Sequence, residues 1–195
     1  MNIPIRCTCG QLQGYIESGH VAARALCYCR DCQAYARFLD GGTILDAQGG
    51  TEVVATLPKA VHFTQGEAQL ACMSLKPKGL YRWYAKCCRT PIGNTPRPQK
   101  VAYAGMVRAC LAATDEELKQ ALGDVRVPVN TESARGPVKS NGLRFVAAGL
   151  KISRMVLGAR LSGAYKQNPF YKGDTNVPVR EPEVLDPEAR ARAYA

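Results

Sequence analysis

Ala25-Leu26-Cys27-Tyr28-Cys29-Arg30-Asp31-Cys32 places three thiols within six residues, a density that packing does not explain. A free cysteine in a core acts as a small hydrophobe and gains nothing from clustering. Thiolates on one short loop can instead meet in a single coordination sphere. Two further knots flank this one, Cys7-Thr8-Cys9-Gly10 upstream and Cys87-Cys88 downstream, so seven of the nine cysteines sit in three short stretches. In the first knot the glycine frees the backbone to turn sharply behind two converging sulfurs, which supplies half a tetrahedron. Cys87-Cys88 is the remaining pair, and Cys7, Cys9, Cys87 and Cys88 are read as a closed, structural site. Cys27, Cys29 and Cys32 leave a fourth position open, as a catalytic metal requires. Zn²⁺ is expected at both sites. The three-thiolate centre would be net negative, a weak generator of hydroxide but suited to holding an incoming thiol as its anion.

Around these knots the chain reads as a mainly β domain over residues 1–112. Short antiparallel strands are expected at 11–17, 24–27, 52–56, 61–64, 69–74, 80–86 and 101–107, punctuated by Gly19, Gly41-Gly42, Gly49-Gly50, Pro58, Gly66, Pro77 and Pro96. One helix is expected after the cysteine turn, capped by Asp31 and running through 33–39. Residues 113–195 read as a C-terminal extension in three parts. Thr114 and Glu117 form a capping box before a short helix to Leu122. A basic, apolar helix follows over about 143–164, with Leu143, Val146, Leu150, Leu157 and Leu161 on one stripe and Phe145, Ile152 and Val156 on another. A proline-rich tail should then run extended over the surface.

Composition narrows the function classes. With 195 residues, 46% of them hydrophobic, the chain can bury its own core. No stretch reaches the roughly 18 uninterrupted apolar residues of a membrane span. Clustered thiols and the polar start Met1-Asn-Ile-Pro-Ile-Arg6 lead to an expected cytoplasmic location, with thiolate ligands rather than disulfides. The formal net charge of +10 suggests acidic company. Only 7% of residues are aromatic and no basic-aromatic run makes a stacking platform, which weighs against nucleic acid. Eight lysines and arginines and no acid lie between Glu132 and Asp174, so the apolar helix there could meet a peripheral membrane surface or a second copy in a homodimer.

Three motifs in order, Cys7-x-Cys9-Gly10, Cys27-x-Cys29-x-x-Cys32-Gln33 and Arg82-x-x-x-x-x-Cys88-x-Thr90-Pro91, resemble the family of glutathione-dependent formaldehyde-activating enzymes and centromere protein V (GFA/CENP-V). The similarity covers about residues 3–110. It implies a β-tent-like fold with two zinc sites, the first and last motifs sharing the structural ion and the middle one holding the catalytic ion. The implied reaction is condensation of glutathione with formaldehyde to S-(hydroxymethyl)glutathione, a carbon-sulfur lyase class. Three positions depart from the family pattern. Tyr28 stands where the middle motif usually has histidine, Ala85 where the last motif has its first cysteine, and Arg89 where it has glycine.

Cys87 is the natural substitute for the missing ligand, but neighbouring strand side chains point to opposite faces. Either the chain bends at Cys87 and both sulfurs complete the structural site, or Cys88 alone does so and Cys87 faces elsewhere, even toward the other site. The first outcome is the favoured one. For an acidic thiol, Arg30, Arg37 and Arg89 lie closest in sequence to the knots and are the candidate carboxylate partners. Cys72 and Cys110, flanked by apolar residues, are read as core; His20 and His62 are isolated, and Trp83 is read as an anchor of the sheet. Two functions follow: a zinc-dependent carbon-sulfur lyase or related thiol-aldehyde enzyme, and a non-catalytic zinc scaffold whose basic segment binds a partner, lipid or second subunit.

Overall fold

The computed structural model describes residues 1–40 and 44–195; the expected break at Gly41-Gly42 lies outside the described residues. Its strands are β1 (Asn2–Arg6), β2 (Gln13–Glu17), β3 (Val21–Cys27), β4 (Thr51–Thr56), β5 (Val61–Gln65), β6 (Leu70–Ser74), β7 (Tyr81–Ala85), β8 (Pro91–Thr95), β9 (Ala104–Val107), β10 (Arg126–Val129) and β11 (Pro182–Val184). The α-helices are α1 (Arg30–Asp40), α2 (Asp115–Leu122), α3 (Gly142–Leu161) and α4 (Pro187–Tyr194). The architecture is therefore mixed, with substantial helix beside two sheets, rather than mainly β as the strand pattern of the first 112 residues suggested.

A three-stranded sheet runs β1-β2-β5, and an eight-stranded sheet runs β10-β3-β4-β9-β8-β7-β6-β11. The inner six strands of the large sheet pair antiparallel, while β10 joins β3 and β11 joins β6 in parallel. Both edges thus come from beyond residue 113. β1 went unread in the sequence, although Ile3 and Ile5 alternate inward between exposed neighbours. Pro4 is tolerated because β1 is an edge strand; its carbonyl accepts from Ala112 N at 2.8 Å and its missing N–H costs no ladder bond.

Trp83 is wholly buried in β7 and donates from Nε1 to Thr95 Oγ1 at 3.0 Å. Phe170 packs on its ring at 5.0 Å between centroids, and Tyr171 is buried nearby. The proline-rich stretch does not simply lie over the surface as expected. It lodges these two aromatics in the main core, pairs as β11 and ends in α4 against α1, because the β7–β8 sheet leaves apolar area that the first 112 residues do not cover. The capping box of α2 forms as read, with Glu117 N donating to Thr114 Oγ1 at 3.2 Å and Thr114 N to Glu117 Oε2 at 2.7 Å. On α3 only Ala159 is fully buried, and Ile152, Met155 and Val156 are half-buried. Among the described residues, no helix is long and apolar enough to cross a membrane.

Candidate metal centres

The closed centre is built from two turns that face one another. After β1 the chain reverses through Cys7-Thr8-Cys9-Gly10, with Gly10 N donating to Cys7 O at 2.9 Å and Gly10 at φ +77°, a conformation that favours glycine. β7 and β8 form a hairpin whose connection carries Cys87 and Cys88, and Arg89 at φ +57° completes the bend. The chain turns at Cys87, so both sulfurs join Cys7 and Cys9, and the four sulfur atoms lie within 4.8 Å of one another. Individual contacts are 3.6 Å for Cys7–Cys9, 3.9 Å for Cys7–Cys87, 3.3 Å for Cys9–Cys87 and 3.8 Å for Cys87–Cys88. A tetrahedron of sulfurs about 2.3 Å from a central ion has an edge of about 3.8 Å, so the cage fits a thiolate-loving cation.

The buried Thr90 hydroxyl clamps the two turns together. Thr8 N donates to its Oγ1 at 3.0 Å, and Cys88 Sγ lies 3.1 Å from the same atom. Burial pushes the Cys88 thiol up, but hydrogen bonds from Thr8 and Thr90 overcome this and bring it down to about 5. Arg89 does not serve the other centre. Its Nε donates to Leu39 O at 2.6 Å, its Nη2 bonds Phe38 O, and its guanidinium stacks on the Phe38 ring, so it closes the C-terminal end of α1.

The second centre sits where β3 ends and α1 begins. Cys29 occupies the position before the first helical residue, and its Sγ accepts from Cys32 N at 3.3 Å while its carbonyl accepts from Cys32 N and Gln33 N. Sulfur thus takes the capping place expected for Asp31. Asp31 is the second residue of the helix, where Tyr194 Oη donates to it at 2.5 Å and Lys76 Nζ pairs with it at 3.2 Å. An anionic sulfur is favoured at such a helix start. Cys27, Cys29 and Cys32 lie within 4.8 Å of one another, with Cys27–Cys29 at 3.4 Å. Tyr28 points away, its hydroxyl donating to Asp46 Oδ2 at 3.1 Å. Gly50 must lack a side chain there, since a Cβ would sit 2.6 Å from the Tyr28 ring and 2.5 Å from Asp46.

Without a cation the three sulfurs cannot all ionise. Hydrogen bonds from the Cys29 thiol and then the Cys32 thiol bring Cys27 down to about 2, and their bonds to Cys27 push Cys29 and Cys32 up. Two donors neutralise the cluster's edge. Asn130 Nδ2 is 3.4 Å from Cys27 Sγ, placed there because β10 runs parallel to β3 and pairs Val129 with Cys27. Arg82, 3% exposed, directs Nη1 to Cys32 Sγ at 3.9 Å and rests over the Tyr35 ring. Among the described residues the negative groups acting on Arg82 are Cys32, Tyr35 and Cys29, not a carboxylate, so its buried charge is balanced chiefly by sulfur. Sequence reasoning gave Arg82 no role beyond motif spacing, although a cation inside the otherwise apolar Tyr-Arg-Trp-Tyr-Ala strand was a signal.

Cys27, Cys29 and Cys32 line a cleft of about 520 Å³ together with apolar Ala25, Val53 and Val129 and polar Asn94, Tyr103 and Arg82. Burial, followed by the Cys32 and Cys27 charges, pushes the Tyr103 phenol up, so it stays a proton donor. Arg30 is exposed at the cleft's edge, and Arg37 lines an adjoining hollow that shares Arg30 and Ser133 with it. Arg37 also donates to Ala193 O at 3.2 Å. Cys72 and Cys110 are core residues whose burial raises each thiol to about 12. His20 and His62 both face Glu17 at the surface, at 3.6 and 2.9 Å, and join neither cluster. Among the described residues, no fourth cysteine, histidine or carboxylate comes within 4.8 Å of all three sulfurs.

No curated protein matches the chain. The sequence profile described as "Family of unknown function (DUF6151)" matches residues 1–183, and the chain belongs to that family.

Proposed function

We propose that the chain is a zinc protein with one closed site and one working site, acting as a carbon-sulfur lyase or related thiol-aldehyde enzyme on glutathione-type adducts. The observation that carries this reading is the three-sulfur cluster opening on a cleft with no fourth protein ligand among the described residues. The order of its cysteine motifs is what links it to the GFA/CENP-V enzymes and to a β-tent description of the sheets. Zinc bound there would supply the positive charge that lowers the pKa of an incoming thiol. The chain's residues do the rest. Arg82 and Asn130 offset the charge on the sulfurs, the apolar side chains of the cleft limit water, and Arg30 and Arg37 attract the carboxylates of an acidic thiol. In the condensation the thiolate sulfur bonds to the aldehyde carbon, the carbonyl π pair moves to oxygen, and that oxygen takes a proton. Tyr103, which lines the cleft, would donate a hydrogen bond to it.

Cobalt substitution tests access to the centre. Glutathione should shift the cobalt spectrum of the wild-type protein; a spectrum indifferent to glutathione sinks the enzyme reading. Formaldehyde consumption must exceed the protein-free rate, because the two reagents also combine unaided. Metal analysis and the colour of the purified protein separate zinc from rubredoxin-like iron. The second reading, a zinc scaffold without catalysis, draws support from the exposed apolar stripe of α3.

A further inference from the structure

α3 carries a stripe the fold does not use. Leu143, Val146, Leu150, Leu157 and Leu161 fall within about 60° of one another on a helix turning 100° per residue, and all five are exposed, Leu143 at 85% and Leu161 at 80%. The opposite side, through Ile152, Met155, Val156 and Ala159, meets the body of the protein. A twenty-residue helix held by one face and leucine-rich on the other is not explained by the protein's own packing.

Charge decides between occupants. α3 bears Arg144, Lys151, Arg154 and Arg160 and no acid. Pairing α3 with α3 of a second copy would bring these cations together with no carboxylate on either helix to offset them. An anionic counterpart has no such conflict. Behind the helix, a groove of about 410 Å³ runs between α3 and the 96–103 segment, with Val101, Ile152 and Val156 on its walls and Lys100 and Arg160 also lining it.

We propose that α3 is an interfacial helix that lays its leucine stripe into an anionic lipid bilayer, with Lys151, Arg154, Arg160 and Lys100 at headgroup level. It lies on the surface and does not span it. The attraction combines apolar burial with basic residues near negative lipid, so it weakens with salt and requires acidic headgroups.

The test is co-sedimentation of the full chain with vesicles of phosphatidylcholine alone and with phosphatidylserine added. Binding only to the phosphatidylserine vesicles is expected. Leu150→Glu with Leu157→Glu should reduce the bound fraction about tenfold or more, and Lys151→Glu with Arg154→Glu should do so while keeping the leucines. All four positions are exposed, so circular dichroism and the thermal midpoint should match the parent. No binding to phosphatidylserine vesicles overturns the proposal and leaves the stripe to an acidic protein partner. Equal binding to both vesicle types overturns it too. So does a dimer, seen by light scattering, that the leucine substitutions convert to monomer.

Discussion

Removing the metal should destabilise the protein through the four-cysteine centre far more than through the three-cysteine one. Cys9 and Cys87 are 78 positions apart in the chain, whereas Cys27, Cys29 and Cys32 span a single turn. A cation stabilises the fold only by binding it more tightly than it binds the unfolded chain. In the unfolded chain the first and last knots must close a long loop to share an ion, a cost the fold has already met. For a loop of this length the closure entropy is worth about 4.5 kcal/mol at 25 °C, against about 2 kcal/mol for a loop of six residues. At two to four degrees per kcal/mol for a chain of this size, loss of the closed centre should lower the thermal midpoint by about 9 to 18 °C. Calorimetry of Cys87→Ser and Cys29→Ser variants in excess zinc, with chelated wild type as reference, measures this. Cys87→Ser should approach the chelated protein, and Cys29→Ser should lose less than half as much. Equal shifts for the two variants, or no shift on chelation, would refute the reasoning.

Other consequences are as direct. Arg82→Met should leave the three-sulfur cluster able to bind cobalt but weaken an added anionic thiol about tenfold, since the cation that offsets the sulfurs' negative charge is lost; spectral titration reads it. Arg30→Ala, at the cleft edge, should weaken the same thiol only severalfold, because its side chain is exposed; an unchanged affinity would remove it from the site. Gly50→Ala should cost about 1 to 3 kcal/mol by driving a methyl group into Tyr28 and Asp46, measured as a lower denaturant midpoint. In metal-free folded protein near neutral pH, an alkylating reagent should modify Cys27 and Cys88, whose thiols are lowered, and spare Cys72 and Cys110. Burial raises those two thiols to about 12, leaving almost no thiolate below that pH, and mass spectrometry locates the labelled sites.

Local chemistry was readable where it depends on neighbours in sequence. The thiol knots, the Gly10 turn, the Thr114–Glu117 box and the leucine stripe of α3 each follow from spacing along a few residues. Asp31 shows the limit of such reading. Its carboxylate is a good cap by type, but the cysteine loop starts the helix at Arg30 and gives the cap to Cys29 sulfur. Cys87 and Cys88 could not be settled from alternation alone, because their joint use depends on a bend that Arg89 makes in the left-handed region.

The amino-acid sequence by itself determined which residues could bind a cation, since only clustered sulfurs offer that chemistry, and it determined a helix with two apolar faces. Tertiary structure alone decided which sulfurs meet, that Arg82 and Asn130 stand beside them, and that Phe170 and the β10 and β11 edges complete the sheet and its core. The physical reason is range. A thiol's ligand character is a property of the residue, whereas the partner across a cleft is set by strand pairing between segments some hundred residues apart, as Val129 beside Cys27 shows.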